Sequence, residues 1–248
     1  MNQYALRLLI LLSFCGFVLA QDELTAVPNR PTVSTPAQPV QPGTLETEWG
    51  VDASASERDI NGLLKFGASK NFELRVTNNP FVFTANSGAD GVGDTGVGFK
   101  YRFKQDSRLQ PSLAFMYMAK LPTSGDVLGS GEVDHAITFL ASKDLGKHHF
   151  DFNTVVNLLG RSQGGFDHDI LNALAWSHPV RGKWGVTAEL SGVSSQNVFT
   201  PASAQVLASA IYTVRPRLVL DCGMAARITG EIPDATFIAG FTYTIAGL

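Results

Sequence analysis

Charged residues recur at alternate positions along the chain, and this spacing is the first feature that could support chemistry. Glu73 is followed at that spacing by Arg75, and Lys100 by Arg102. Side chains two residues apart lie on the same face of a β-strand. Carboxylate and basic groups arranged in this way can pair with one another or line a polar path for a solute. The candidates for lining such a path are Glu48, Lys65, Glu73, Arg75, Lys100, Arg102, Asp221 and Arg227.

Motifs for cofactors or metals are weak in this sequence. The segment from Gly91 to Gly96 matches G-x-G-x-x-G, but a dinucleotide site needs a helix after the motif, and here an alternating pattern continues to Phe103. The two cysteines are too few for a thiolate zinc site, and the five histidines include no set spaced for zinc. We therefore expect no metal and no cofactor.

An outer-membrane hydrolase is the one enzyme class that the residues leave open. Such an enzyme needs a serine, a histidine and a third orienting group that meet in space. Ser191 with His178, or Ser142 with His135, would meet only under an assumed strand register. The sequence therefore favours a protein that is not an enzyme.

The composition is poor in charge and almost neutral. Charged residues make up 17% of the 248 residues, whereas about a quarter is usual for soluble domains. The 19 basic and 22 acidic residues give a net charge of −3. Nothing in this balance indicates a surface for nucleic acid.

The first 43 residues differ from the remainder of the chain. Residues 1–20 combine one basic residue, an apolar run from Leu8 to Leu19 and a small residue before Gln21, which is the pattern of a secretory signal peptide. Residues 21–43 contain five of the twelve prolines, a composition that favours extended backbone and forms no core. We predict that residues 21–43 form a flexible periplasmic arm and that residues 44–248 form the folded domain.

From residue 44 onward, apolar and polar residues alternate. Val97, Phe99 and Tyr101 occupy one face of a segment whose other face holds Gly98 and Lys100. A period of two predicts β-strands with one apolar face. Twelve are expected, at residues 44–53, 62–70, 71–79, 93–104, 110–121, 133–143, 148–159, 168–178, 183–193, 203–214, 217–229 and 235–246.

These strands could form a soluble sandwich or a transmembrane barrel. Their average length of about ten residues exceeds the five or six that are typical of soluble sheets. Tight turns alternate with longer loops, and charges fall on the polar faces alone, as expected because a lipid-facing lysine or arginine costs about 2–4 kcal/mol at the midplane. We therefore predict an all-β fold, a single up-and-down antiparallel transmembrane β-barrel of about 12 strands in the outer membrane of a Gram-negative-type cell.

Three stretches resemble a known family. They are Gly93 to Phe103, with Gly-Asp and Lys-Tyr, Pro111 to Gly125, with Leu-Pro-Thr-Ser-Gly, and Leu128 to Asp134, with Gly-Ser-Gly. These stretches are similar to those of the MetA-pathway phenol-degradation family, whose members are outer-membrane barrel proteins often labelled transporters. The resemblance covers residues 44–248 and implies uptake of aromatic compounds.

Two functions remain open for such a barrel. The first is a channel or transporter for passive passage of small solutes, including aromatic or hydrophobic compounds. The second is a closed barrel with a structural or adhesive role, acting through exterior loops such as Pro122 to Glu132 and Ser194 to Ala202. The expected partners are outer-membrane lipid, a small-molecule solute and, during biogenesis, the barrel-assembly machinery.

Overall fold

The computed structural model describes residues 23–85, 87–125, 128–196 and 200–247. The predicted signal peptide at residues 1–20 lies outside this part of the chain. The described residues form thirteen strands. Their bounds are β1 Thr44–Ala53, β2 Glu57–Gly67, β3 Phe72–Thr84, β4 Ala89–Gly91, β5 Thr95–Lys104, β6 Ser112–Leu121, β7 Asp134–Leu145, β8 His148–Gly160, β9 Phe166–Arg181, β10 Trp184–Val193, β11 Ser203–Arg215, β12 Leu218–Thr229 and β13 Ala235–Gly247.

The strands close into a barrel. Consecutive long strands pair antiparallel, and β1 pairs with β13, with Trp49 opposite Phe241. The short strand β4 pairs only with the end of β3. The other twelve strands form the wall, so the predicted up-and-down barrel is confirmed and the sandwich alternative is wrong. No helix in the described ranges is long and apolar enough to cross a membrane.

The alternation in sequence separates the two faces of the wall. On β3, Leu74 and Val76 are 46% and 43% exposed on the outer face, whereas Glu73 and Arg75 are buried in the lumen. The same division recurs around the barrel, where large apolar side chains make up most of the outer surface. This arrangement is the reverse of a soluble domain and matches a surface solvated by lipid.

The two ends of the barrel differ in their connections. Gly146-Lys147 and Gly182-Lys183 are two-residue hairpin loops whose glycines have φ of +65° and +60°, a left-handed conformation that such turns require. Most connections at the opposite end are longer. Short turns face the periplasm in outer-membrane barrels. We name the two ends the turn end and the loop end.

One prediction is wrong for the described part of the 21–43 segment: residues 23–43 do not form a flexible arm outside the barrel. Residues 23–43, which we name the insert, lie inside the lumen, where Ser34, Ala37 and Val40 are almost completely buried. A proline-rich segment cannot build a core of its own, which is why its composition suggested an arm. The barrel wall supplies the partners that the segment lacks.

Candidate functional site

The insert follows a hairpin-shaped path through the turn-end half of the lumen. Near its start, the Ala26 N–H donates to the carbonyl of Pro216, in the turn between β11 and β12, at 2.8 Å. The path is deepest at residues 30–33, where the insert contacts the middle of β10. It returns to Gly43, whose N–H donates to the carbonyl of Gly67 at 2.7 Å. The insert therefore enters and leaves at the same end of the barrel.

Four glutamates of the wall accept backbone N–H groups of the insert. The six hydrogen bonds are 2.7–3.1 Å long and run from Val27 to Glu46, from Asn29 and Arg30 to Glu48, from Val33 and Ser34 to Glu189, and from Val40 to Glu73. Hydrogen bonds to an ionised acceptor are about twice as strong as neutral ones. The wall thus satisfies the backbone of a segment that forms no helix or strand.

Basic side chains of the wall donate to insert carbonyls. The bonds run from Lys65 to Val27 at 2.6 Å, and from Lys100 to Pro36 at 3.1 Å and to Gln38 at 3.0 Å. The Lys65 ammonium also lies 2.6 Å from Glu46, and that of Lys100 lies 3.5 Å from Glu73. Both lysines are fully buried. Buried charges require such partners, because an uncompensated one costs several kcal/mol.

The structure places seven of the eight predicted lining residues in the lumen. These seven are buried: Glu48, Lys65, Glu73, Arg75, Lys100, Arg102 and Asp221. Most of them contact the insert or a neighbour that holds it, so they face a filled lumen. Arg227 is different, since it lies at the loop end of β12, partly exposed and paired with Asp234.

Several residues that hold the insert were not among the predicted lining residues. Glu46 and Glu189 could have been chosen, because they lie on polar strand faces. Asn153 and Ser142 accept the N–H groups of Thr35 and Ala37, each at 2.7 Å. No sequence signal distinguishes these two uncharged residues from other polar positions of the lumen.

Two cavities are lined in part by the insert, and a third lies at the loop end of the barrel. The apex cavity, of about 680 Å³, lies on the loop side of the insert and is lined by Arg30, Asp52, Asp59, Asn61, Leu207 and Ile238, among others. The turn-side cavity, of about 340 Å³, lies between the insert and strands β8 to β11, and its lining includes Arg30, Thr32, His149, Asp151 and Thr187. The insert therefore stands between a space open to the loop end and a smaller space near the turn end.

The third cavity, the mouth cavity, has a volume of about 710 Å³ and lies at the loop end. Its lining is mixed and includes Asn79, Asp94, Met118, Lys120, Asp134 and Leu159. Lys120 lies 3.0 Å from Asp94 and 2.6 Å from Asp134. Asp94 Oδ1 also accepts the N–H groups of Thr123 and Ser124, at 3.0 and 2.9 Å. The three stretches that carry the family resemblance therefore meet at this cavity.

This cluster predicts a pH effect at the mouth. Burial opposes ionisation of Asp94, but hydrogen bonds from Ser124 and Lys120 outweigh it and lower the pKa of this carboxyl. A lowered pKa means that the contribution of Asp94 is complete above its unfolded pKa, near 3.9, and is lost as the pH falls through the folded value. We expect Asp94→Asn to make the 122–132 loop more sensitive to protease at pH 7, with the difference from the natural protein disappearing in strong acid.

A matched control for that experiment is Asp90→Asn, a neighbouring acidic residue on β4 that is exposed. It should leave cleavage unchanged at both pH values. Equal protease sensitivity of Asp94→Asn and the natural protein at pH 7 would contradict the role given to Asp94.

The serine–histidine pairs considered from sequence do not meet. Ser142 and His135 lie seven residues apart on β7, about 23 Å along a strand, and His135 bonds Tyr117 at 2.8 Å. Ser191 faces the lumen, whereas His178 pairs in register with Val186, five residues away. Neither pair can transfer a proton from serine to histidine in this structure.

No protein-family model and no curated protein matches the chain. Solved structures share its fold. The COG4313 outer membrane channel from Pseudomonas putida F1 has a TM-score of 0.68 at 12% identity, over 88% of this chain and 100% of that chain. The NanC porin has a TM-score of 0.60 at 10% identity, over 81% and 100%. The KdgM porin in complex with disordered oligogalacturonate has a TM-score of 0.60 at 9% identity, over 81% and 99%.

Because these identities are low, the likeness establishes only the barrel fold. No family match supports the resemblance to the MetA-pathway phenol-degradation family, which stays an interpretation of three motifs. The closed wall and the apolar outer surface place the chain in the outer membrane. The chain is therefore a 12-stranded outer-membrane β-barrel with the fold of porin-like channels.

Proposed function

We propose that this protein is an outer-membrane channel for small solutes and that the insert closes its lumen until it is displaced. The observation that carries the proposal is the way in which the lumen is filled. In barrels of about eight strands, the wall side chains alone can fill the interior, and the interior widens as strands are added. Here the space is taken by a separate segment, held mainly through its backbone by polar groups that water could replace.

The chemistry of the lumen supports solutes with an apolar part. Leu207, Ala225 and Ile238 form a buried apolar cluster on the lumen face of β11 to β13, beside the insert. The charged wall residues pair with one another and with the insert, so they offer no dense array of one sign. We propose small amphipathic solutes, aromatic compounds among them, in agreement with the family resemblance.

A disulfide between the insert and the wall tests the proposal. The Ala37 N–H donates to Ser142 Oγ at 2.7 Å, so cysteines at the two positions are within reach of each other. We expect residues 21–248 carrying Ala37→Cys, Ser142→Cys and Cys222→Ser to show no channel openings in a planar bilayer when oxidised. Reduction should restore the openings of the natural protein.

Two controls make the result decisive. The single variant Ala37→Cys, with Cys222→Ser, should not respond to oxidation or reduction. Heat-modifiable migration should show that each variant is folded. Equal openings of the oxidised and reduced double variant would contradict passage past the insert, whereas silence of all forms, including the natural protein, would favour the closed structural or adhesive barrel.

The solute class can be examined separately by liposome swelling. Phenylalanine and glutamine carry the same zwitterionic charge and differ in an apolar against a polar side chain. We expect faster swelling with phenylalanine, because the apolar cluster beside the insert favours the aromatic ring. Faster swelling with glutamine would contradict the aromatic preference and leave the channel function intact.

A further inference from the structure

Two glycines of the wall form a shallow slot in the lumen. Gly50 on β1 and Gly240 on β13 are direct partners in the strand pairing. The guanidinium of Arg30 lies against both: a Cβ added at Gly50 would be 2.0 Å from Arg30 Cζ, and one added at Gly240 would be 2.6 Å from Arg30 Nε. Only glycine at both positions leaves room for this guanidinium. We name this pair the glycine slot.

Arg30 contacts four strands from the glycine slot. Its Nη1 bonds Asn61 on β2, and its Nη2 donates to the Ala239 carbonyl on β13 at 3.3 Å and to Asp52 on β1 at 3.4 Å. Its Nε lies 3.7 Å from Asp221 on β12. A guanidinium presents its donors in a planar, rigid fork that fits a flat slot, whereas a lysine ammonium is a compact point charge that does not fill it. Arg30 is also the only basic residue of the insert.

The fit in the glycine slot is close, but the ion pairs are long. Within the described residues, Arg30 Nε and the facing Asp221 Oδ1 have no hydrogen-bond partner. Both carboxylate contacts exceed the 2.7–2.9 Å of a strong charge-assisted bond. The guanidinium is therefore held by its fit in the slot and by its bonds to Asn61 and Ala239, and the contact can release without breaking an optimal ion pair.

Arg30 also stands at a boundary in the lumen. It lines the apex cavity and the turn-side cavity, and Thr32 is the other insert residue that lines both. Arg30 and Thr32 thus lie between the two cavities.

We propose that Arg30, seated in the glycine slot, is the positioning residue that holds the insert apex against the β1–β13 wall, and that its departure connects the apex and turn-side cavities. The inference rests on the proposed channel function and assigns the release of the apex to one contact, the Arg30 side chain in the glycine slot, which we name the latch. Backbone bonds hold the insert along its whole path, including those from Arg30 to Glu48 and from Val33 to Glu189 at the apex, and the Arg30 side chain adds the contact between the apex and the glycine slot.

Filling the slot tests the inference without changing the insert. Gly50→Ala places a methyl group where the guanidinium lies, so we expect a several-fold rise in open-channel events in a planar bilayer. Arg30→Ala should give the same rise, and Arg30→Lys should not restore closure. Gly185→Ala on β10 is the matched control, because its added Cβ meets no atom closer than 3.4 Å and should leave conductance unchanged.

A double variant separates a specific contact from general loosening. If Arg30 acts through the slot, Arg30→Ala combined with Gly50→Ala should conduct no more than either single variant, since interacting sites are not additive. Additive increases would overturn the inference. Because Gly50→Ala changes the wall and could impair folding, Arg30→Ala gives an independent answer, with heat-modifiable migration as the folding check.

The failure of this inference can be told apart from the failure of the channel function. If a chain lacking residues 24–42 conducts while Arg30→Ala and Gly50→Ala stay at the natural level, the latch is wrong and the channel stands. If Gly50→Ala conducts but Arg30→Ala does not, the latch is also wrong. If the folded chain lacking residues 24–42 is silent, the channel function fails and the latch fails with it.

Discussion

Removal of residues 24–42 is expected to convert the barrel into an open pore with a large, steady conductance and a preference for cations. The insert fills the turn-end half of the lumen through bonds to the wall, and strands β1 to β13 pair without it. The wall should therefore close as before. Water would replace the insert as the hydrogen-bond partner of the wall glutamates. The charges would then be hydrated, so their exposure would not carry the free-energy cost of an uncompensated buried charge.

The sign of the preference follows from the charges that remain. The buried charged residues of the described wall are seven acidic, Glu46, Glu48, Glu73, Asp151, Asp169, Glu189 and Asp221, and four basic, Lys65, Arg75, Lys100 and Arg102. This is an excess of three negative charges once Arg30 has left with the insert. An excess of carboxylates along a pore attracts cations and repels anions.

The measurement is the reversal potential of the shortened chain in a salt gradient. Glu73→Gln with Glu189→Gln in that chain should move the reversal potential toward zero, whereas Asp90→Asn, outside the lumen wall, should not. An anion preference would contradict the charge assignment. A folded chain that is silent would favour the closed barrel with a role at its exterior loops.

Much of the wall could be predicted from the sequence because lipid and lumen impose a strict period of two. Strand β1 begins and ends as predicted, at Thr44 and Ala53. The start of β2 was predicted five residues too late and its end three residues too late, because the irregular pairing near Ile60 and Gly62 interrupts the alternation. β3 runs beyond its predicted end to Thr84, through the proline at position 80.

The insert could not be predicted, and the reason is physical. Periodicity reports where side chains point, but the insert is held through its backbone N–H and carbonyl groups, which every residue other than proline carries alike. The wall residues Glu48 and Glu73 were recognised as facing the lumen. Their partners were assumed to be other charges or solute, whereas the structure gives them the N–H groups of residues 29, 30 and 40.

The same contacts explain why a charge-poor chain concentrates its charge in the lumen. Extended backbone inside a barrel needs donors and acceptors at the spacing of a polypeptide. Glu48 accepts from two successive N–H groups, and Lys100 donates to two carbonyls two residues apart. The wall charges therefore match a peptide backbone, and this makes the closed state specific for the insert.

Replacing Lys100 by methionine is expected to destabilise the barrel strongly. Methionine is similar in length but apolar, so it leaves Glu73 with one cationic partner, Arg75, and removes the donor to the carbonyls of Pro36 and Gln38. Breaking a buried ion pair by removing one partner costs about 3–5 kcal/mol. The urea midpoint of unfolding, followed by tryptophan fluorescence in detergent micelles, should fall accordingly. Lys147→Met, in an exposed turn, should shift stability by less than about 0.5 kcal/mol.

The same substitution in the chain lacking residues 24–42 separates two explanations of the loss. If Lys100 stabilises mainly by compensating Glu73 in a lumen that excludes water, removal of the insert admits water, and Lys100→Met should then cost much less than in the full chain. If its cost is equal in both chains, the lysine stabilises the wall itself and the insert is not part of its role. We expect the first result, because Lys100 is fully buried between the insert carbonyls of Pro36 and Gln38 and the carboxylate of Glu73 on the wall.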